Sequence, residues 1–399
     1  MGTGPVRVAH IITRMILGGA QENTLHTCDA LHRRAEWDVL LVTGPPIGPE
    51  GELLSEARRL GIPHVVVPQM RRAVNPCLDA IAFRRLQRIL RECRPTIVQT
   101  HSSKAGILGR FAAWCAHVPI IIHTVEGLPF HRYAPWHANA AFILAERAAA
   151  HVTDRIVCVA QAMVEQAAAA GIRPKGGYSV IYSGMDVDAY GDAGRDRDEV
   201  RRRFGFAPDD LVIGKIARLF SLKGHEFVIK AAPKLLQRCP RAKFLFVGDG
   251  LLIDDLKALA LRLGVSDRVV FAGLVPPERI PSMIGAMDIV VHTSLREGLA
   301  RVLVQALLCE KPVVTYALDG APEVIIDGVT GRLVPPESVD ELAEAVAWAA
   351  EHPEEARRMA QEGKRRFADR FRIETMVDDT EHLYRSLLAE KGYERPTAG

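Results

Sequence analysis

The sequence lacks several things, and each absence excludes a class of protein. No low-complexity tract interrupts its 399 residues, of which 48% are hydrophobic and 25% charged, so the composition is that of an ordinary folded protein. No uninterrupted apolar run reaches the length of a transmembrane helix. Any membrane contact is therefore expected to be peripheral. The N-terminus runs into a strand-like segment, residues 6–13, without a signal-peptide pattern. Val6 stands where an N-myristoylation signal would carry Ser or Thr. The seven cysteines are odd in number and contain no Cys-x-x-Cys pair, and several lie in apolar segments. They read as small core residues of a reduced, cytoplasmic protein. An excess of one charge is missing too, since a formal net charge of +3 is too small to argue for a nucleic-acid partner. No Asp-x-Asp sits at an apolar strand end and no His/Cys/Asp cluster has metal-ligand spacing, so neither metal nor another cofactor is expected.

What is present is a chain long enough for two domains, in which short β-branched runs alternate with helical patterns. This is the signature of a parallel α/β architecture. Strands are expected at 6–12, 38–42, 64–67, 96–100, 120–124, 155–159 and 178–182, and again at 211–217, 243–247, 268–272, 289–292 and 311–315. Residues 186–210 are polar and charged and read as an interdomain linker. The expected division is a first domain over 1–190, a second over 191–372, and an amphipathic C-terminal helix and tail over 373–399. Arg71, Arg72, Arg84, Arg85, Arg88, Arg91 and Arg94 crowd one stretch of the first half. They form either a solvated helix face or a patch facing anionic lipid or a phosphate-bearing acceptor.

In open α/β sheets, ligands bind beyond the carboxyl ends of the strands, and that rule selects particular loops. After the strand at 211–217 come Arg218 and Lys223, which can converge on a diphosphate, Arg as a fork and Lys as a point charge. Gly248 and Gly273 end two further strands and permit close backbone approach, although ordinary turns use glycine as well. The segment from His292 to Gln305 reads strand, glycine turn, helix. Free N–H groups over residues 298–302, among them Gly298, Leu299 and Arg301, would form an anion site, with Glu297 placed to accept from sugar hydroxyls. The helix that follows is apolar nearly all round, so Gln305 is expected to be a buried polar side chain in need of a partner, either a ligand or a neighbouring backbone group. In the first half, Gly18 and Gly19 open a helix directly after the first strand and could offer their amides to a diphosphate, or simply make a tight turn.

The order of these segments resembles the retaining glycosyltransferases of family 4, with the GT-B fold of two Rossmann-like domains facing across a cleft. The matching pieces are Gly18-Gly19-Ala20-Gln21, the segment from His101 to Arg110, His123-Thr124-Val125, Arg218 with Lys223, Gly248-Asp249-Gly250, Arg296-Glu297-Gly298 and Gly320-Ala321-Pro322-Glu323. They extend over nearly the whole chain. The resemblance implies that Arg218 and Lys223 hold a donor diphosphate, that Glu297 contacts the donor sugar, and that the position of Gln305 binds ribose. Family members carry a second Glu there; the amide keeps an acceptor and loses charge assistance, about 1 kcal/mol. Similar proteins often have His-Gly where this chain has Glu126-Gly127. Glu126 is open to several roles: stabilising an oxocarbenium ion, taking a proton, contacting a cationic acceptor, forming a covalent adduct, or a structural role.

The resemblance thus implies metal-independent transfer of a sugar from a nucleotide-diphosphate sugar, UDP by family default, to an acceptor hydroxyl with retention. A sugar or polyprenyl-diphosphate-linked acceptor is expected, with His101, Ser102, Lys104, His131 and Arg132 on the acceptor side, at the inner face of a membrane. A nucleotide-sugar hydrolase or epimerase on the same scaffold, or a binding protein that has lost catalysis, are the competing readings.

Overall fold

A computed structural model describes residues 4–47 and 51–393. It divides into two units, Met1–Met185 together with Ile373–Gly399, and Asp186–Arg372. In the first unit the strands are β1 (Val6–Ile12), β2 (Trp37–Thr43), β3 (His64–Val66), β4 (Ile97–His101), β5 (Ile120–Val125), β6 (Arg155–Cys158) and β7 (Tyr178–Val180). They form one parallel sheet in the order β3-β2-β1-β4-β5-β6-β7. In the second unit β8 (Leu211–Ile216), β9 (Ala242–Val247), β10 (Val269–Gly273), β11 (Ile289–His292), β12 (Val313–Tyr316) and β13 (Arg332–Val334) pair in the order β10-β9-β8-β11-β12-β13, also parallel. The central strands β4, β5 and β11 are buried along their whole length. That is why their apolar residues do not alternate with exposed ones, and why the polar residues among them, such as Gln99, His123 and His292, are buried as well. Each sheet reverses its strand order once, at β1/β4 and at β8/β11. These are the switch points where such folds bind ligands.

The C-terminal helix, Ile373–Glu390, packs on the first unit. Its stripe of Met376, Val377, Leu383, Tyr384, Leu387 and Leu388 joins Val8, Ile12, Leu25, Leu31 and Trp37 in one core. The rings of Trp37 and Tyr384 meet edge-on at 5.5 Å. At the rim, Arg34 pairs with Asp378 and Arg385 with Glu36.

Residues 186–210 are not a linker. They belong to the second unit, and the helix Arg197–Arg203 packs beside the helix Ile280–Ala286 and is tied to the residues that lead into β11. Arg197 and Arg201 each reach one carboxylate oxygen of Asp288 at 2.5 Å, and Arg201 donates to the Ala286 carbonyl at 3.0 Å. Arg201 is only 3% exposed. Asp192, Arg195, Asp198 and Glu199 stay exposed, but Arg197 and Arg201 are paired within the unit, the latter across 87 residues, which composition does not reveal.

The motif from His101 to Arg110 is structural for much of its length. Helix Ser103–Cys115 lies against β4 and β5 so closely that a Cβ on Gly106 would sit 2.5 Å from the His123 ring. Arg110 is fully buried, donating to Glu146 at 2.7 Å and to the Gly106 carbonyl at 2.8 Å. Removing one partner of a buried pair leaves an uncompensated charge. Glu146→Ala is therefore expected to destabilise the protein by about 3 kcal/mol or more, read as the urea midpoint. A loss below about 1 kcal/mol would mean that the Arg110 charge does not depend on this partner.

Candidate active site

The candidate site of the second unit is built by two loops at the β8/β11 switch point, stitched together by backbone. The loop after β8 turns through Leu222 and Gly224, with φ of 67° and 72°. A Cβ on Gly224 would lie 1.9 Å from the Thr293 carbonyl oxygen, so only glycine permits this approach. The Leu295 N–H donates to the Leu222 carbonyl at 2.8 Å, and the Thr293 hydroxyl to the Gly224 carbonyl at 2.6 Å. A third segment braces the second loop: Glu297 N–H donates to the Asp319 carboxylate at 2.7 Å, and Gly320 N–H to the Gly298 carbonyl at 2.9 Å.

This stitching brings Lys223 to Glu297, Nζ to Oε1 at 2.6 Å. His292, at the end of β11, stands 3.6 Å from the same oxygen. Burial pushes the Glu297 carboxyl up, but Lys223 and His292 outweigh it and hold the group well below the usual carboxylate range. Glu297 is thus an anion with acceptor capacity to spare. Arg218 is exposed on the same loop with its guanidinium 5.1 Å from the Phe220 ring centroid.

Glycines 248 and 273 have a backbone role. Gly248 N–H donates to the Gly273 carbonyl at 2.9 Å, and a Cβ on Gly248 would fall 2.1 Å from the Ala217 carbonyl oxygen. Asp249 in turn accepts the Leu219 N–H at 2.9 Å, so these residues brace the Arg218 loop. Helix Arg301–Leu308 begins just beyond Gly298 and Leu299, after Ala300, which gives no side-chain cap; the Leu303 N–H turns back to the Ala300 carbonyl at 3.1 Å. Gln305 is half-buried, not buried as its apolar surroundings suggested. It lies one turn from Arg301, and these two are the positions of that helix left uncovered.

One residue of this region carried no signal in motif reading. Lys215 sits in β8 between buried neighbours, is 0% exposed, and its ammonium has no hydrogen-bond partner among the described residues. Burial pulls it down to about 7, Lys223 adding to the fall and Glu297 opposing it. A lysine inside an otherwise apolar strand was the available clue.

In the first unit, Gly18 precedes the helix Gly19–His32, which therefore starts at the two glycines after β1. Ser102, with φ of 61°, follows β4 and bonds the Thr13 hydroxyl at 2.6 Å, joining the two loops of that switch point. Lys104 is paired with Asp79 at 2.7 Å. His131 is clamped by Asn139, which accepts its N–H at 3.1 Å and donates to its carbonyl at 2.8 Å, while exposed Arg132 lies over the Tyr133 ring at 4.6 Å. Glu126 meets His101 at 3.0 Å and borders a cavity of about 20 Å³ lined also by Ser102, His123, Thr124 and Glu146. The structure thus gathers Lys223 and Glu297 at one site, and His101 and Glu126 at another.

Two parallel Rossmann-like units with these switch-point loops define a GT-B glycosyltransferase. Residues 17–189 match the family Glycosyltransferase Family 4, and residues 196–366 match Glycosyl transferases group 1. The chain is 25% identical to the UDP-Gal:alpha-D-GlcNAc-diphosphoundecaprenol alpha-1,3-galactosyltransferase of Escherichia coli, across 97% of this chain and 98% of that one. It is 29% identical to the alpha-D-kanosaminyltransferase of Streptomyces kanamyceticus, across 73% and 71%. Among solved structures, Anabaena HepE in complex with UDP superposes with a TM-score of 0.80 at 24% identity, covering 96% of this chain and 100% of that one. Sucrose-phosphate synthase of Thermosynechococcus elongatus gives 0.78 at 19%, covering 96% and 100%. The protein belongs to the family 4-like glycosyltransferases.

Lys215 makes stability depend on pH. Its folded value lies below the unfolded one, so the unfolded chain binds more protons between about pH 7 and pH 10 and stability rises across that window. Lys215→Met is expected to raise the unfolding free energy most at or below pH 7, the gain shrinking by about 1.4 kcal/mol per unit above it. Denaturant titrations at several pH values check this; a pH-independent effect would mean that the ammonium is solvated in the folded protein.

Proposed function

We propose that this glycosyltransferase takes a nucleotide-diphosphate sugar, with UDP as the nucleotide, and transfers the sugar with retention and without a metal ion. The observation that carries the reading is the Lys223–Glu297 contact beside an uncapped helix start. A diphosphate arriving there meets Lys223, Arg218 and the positive end of helix Arg301–Leu308, just beyond Gly298 and Leu299. Glu297, released from Lys223, accepts from hydroxyls of the donor sugar, and Gln305 takes a ribose hydroxyl. As the bond from the anomeric carbon to the phosphate oxygen breaks, negative charge grows on the diphosphate and the cations hold it. The acceptor oxygen bonds to the same face, and its proton passes to a phosphate oxygen of the leaving group. Among the described residues no three His, Cys, Asp or Glu side chains gather to hold a metal ion; in this reading the cationic side chains perform the charge neutralisation that a divalent ion would supply.

The acceptor is proposed to be a sugar on a polyprenyl diphosphate, as in the name of the Escherichia coli relative. A peripheral membrane contact of the first unit fits such a substrate. No described helix is long and apolar enough to cross a membrane. Helix Trp136–Ala150 nevertheless leaves Trp136 81% and Leu144 69% exposed, and Arg84, Arg85, Arg88 and Arg91 stand exposed on helix Pro76–Cys93. Apolar and basic side chains of this kind suit an anionic lipid surface.

Steady-state release of UDP from a panel of UDP-sugars, with a chelator present throughout, tests the mechanism. Lys223→Ala is expected to lower kcat about a hundredfold or more, and Gln305→Ala by less than about tenfold. Gln305→Glu is expected to tighten the donor. Equal losses for the two alanine variants, or loss of turnover with chelator that a divalent ion restores, would contradict the assigned roles.

A further inference from the structure

A chain of buried polar side chains runs through the first unit and ends at Glu126. Glu126 Oε1 is 3.0 Å from His101 Nδ1, His101 Nε2 is 3.2 Å from His10 Nδ1, and His10 Nε2 is 3.3 Å from the Tyr384 hydroxyl. The Tyr384 hydroxyl donates to Gln99 Oε1, and Gln99 Nε2 donates to the Thr124 hydroxyl at 2.7 Å. The members come from β1, β4, β5 and the C-terminal helix. His10 and Tyr384 are fully buried, and Gln99 and His101 are 4% exposed.

Such a chain has a direction, because a tyrosine has one hydrogen to give and a neutral imidazole one N–H. Gln99 turns its amide nitrogen to Thr124 and its oxygen to Tyr384, which commits the Tyr384 hydrogen to Gln99. The Tyr384 oxygen then accepts from His10 Nε2–H. His10 is kept neutral by burial and by neighbouring His101, so its Nδ1 is bare and accepts from His101 Nε2–H. One proton is left over between His101 Nδ1 and Glu126 Oε1. On nitrogen it makes an imidazolium–carboxylate pair, on oxygen a neutral pair, and in both the net charge is zero.

We propose that Glu126 and His101 act as a net-neutral dyad sharing one proton, and that His10, Tyr384 and Gln99 are positioning residues that set this state by fixing the direction of the chain. The proposal rests on the glycosyl-transfer reading and on Glu126 standing at the position where similar proteins carry His-Gly. There the dyad makes Glu126 a hydrogen-bond partner for a sugar or acceptor hydroxyl. A carboxyl that already shares a proton is neither a free anionic nucleophile nor a strong base, and the acceptor proton goes to the leaving phosphate. The titratable groups around the chain are His123 of β5, with Arg110 behind it, Glu146, which is paired with Arg110 and lines the cavity that Glu126 borders, Cys158 of β6, and Cys28 of helix Gly19–His32. Burial, aided by Arg110, keeps His123 neutral; burial and Glu126 push the Cys158 thiol to about 12, and burial raises Cys28 as well. None of them exchanges a proton with the dyad near neutral pH.

The test is nitrogen NMR of the full chain carrying labelled histidine, near neutral pH, with His10 and His101 assigned by single His→Gln variants. Both rings are expected to carry a proton on Nε2. Tyr384→Phe removes the hydroxyl and keeps the ring; Gln99→Met removes the group that takes the Tyr384 hydrogen. Either change frees the chain to reverse, so that both histidines carry their proton on Nδ1 and the dyad releases one proton. The basic limb of the kcat–pH profile is expected to move down by about one unit or more. Bare Nε2 atoms in the unmodified protein, or unchanged tautomers in both variants, would overturn the proposal. Tautomers that reverse while the kcat profile stays put would leave the chain's direction standing and remove Glu126 from the reaction. Failure of the glycosyl-transfer reading is separate, since it would appear as no turnover in the unmodified protein.

Discussion

The carbonyl oxygen of Thr293 occupies the space, 1.9 Å away, that a Cβ at position 224 would need, and φ at Gly224 is +72°. The loops after β8 and β11 can lie this close only because that side chain is missing. From the contact follow the Leu295–Leu222 and Thr293–Gly224 hydrogen bonds, and from those the meeting of Lys223 with Glu297 across 74 residues of chain. Neither side chain needs to search for the other, because rigid backbone presents both. The ion pair then decides the chemistry of the carboxyl: desolvation alone would raise it, and the adjacent ammonium reverses the sign. Both side chains remain about a quarter exposed, so a ligand with more negative charge than one carboxylate can take Lys223 over.

The first unit relies on a different device. Its switch-point loops are joined by Thr13 and Ser102, but the protonation of its polar cluster depends on a helix from the far end of the chain. Tyr384 is 285 residues from Gln99 and completes a hydrogen-bond chain that would otherwise end in an unsatisfied imidazole. The apolar stripe of the same helix anchors it in the core with Trp37 and Leu31. Packing energy thus holds a polar group in register, which is the order of cause expected where buried polar networks must be fully satisfied.

Strand positions, the doubled α/β plan and the loops carrying Arg218, Lys223 and Glu297 were legible in the sequence, because apolar runs and the residues after them report local structure. The edge strand β13 was not read, being three residues long and half-buried for most of them. Residues 186–210 read as a linker because Asp288, the partner of Arg197 and Arg201, lies far along the chain and meets them only after folding. Gln305 was expected inside since its neighbours are apolar, yet it shares an uncovered face with Arg301. Lys215, His10 and Tyr384 gave no motif at all: their significance lies in what surrounds them across three or more elements, and spacing along one element cannot encode that.

The central claim is that the Lys223–Glu297 pair is a donor grip held closed by its own charges. A crystal structure with an intact, slowly reacting UDP-sugar tests it most directly. The expected result has Lys223 moved from Glu297 onto the diphosphate, and Glu297 accepting hydrogen bonds from the sugar. A diphosphate bound elsewhere, with the 2.6 Å Lys223–Glu297 contact intact, would contradict the account.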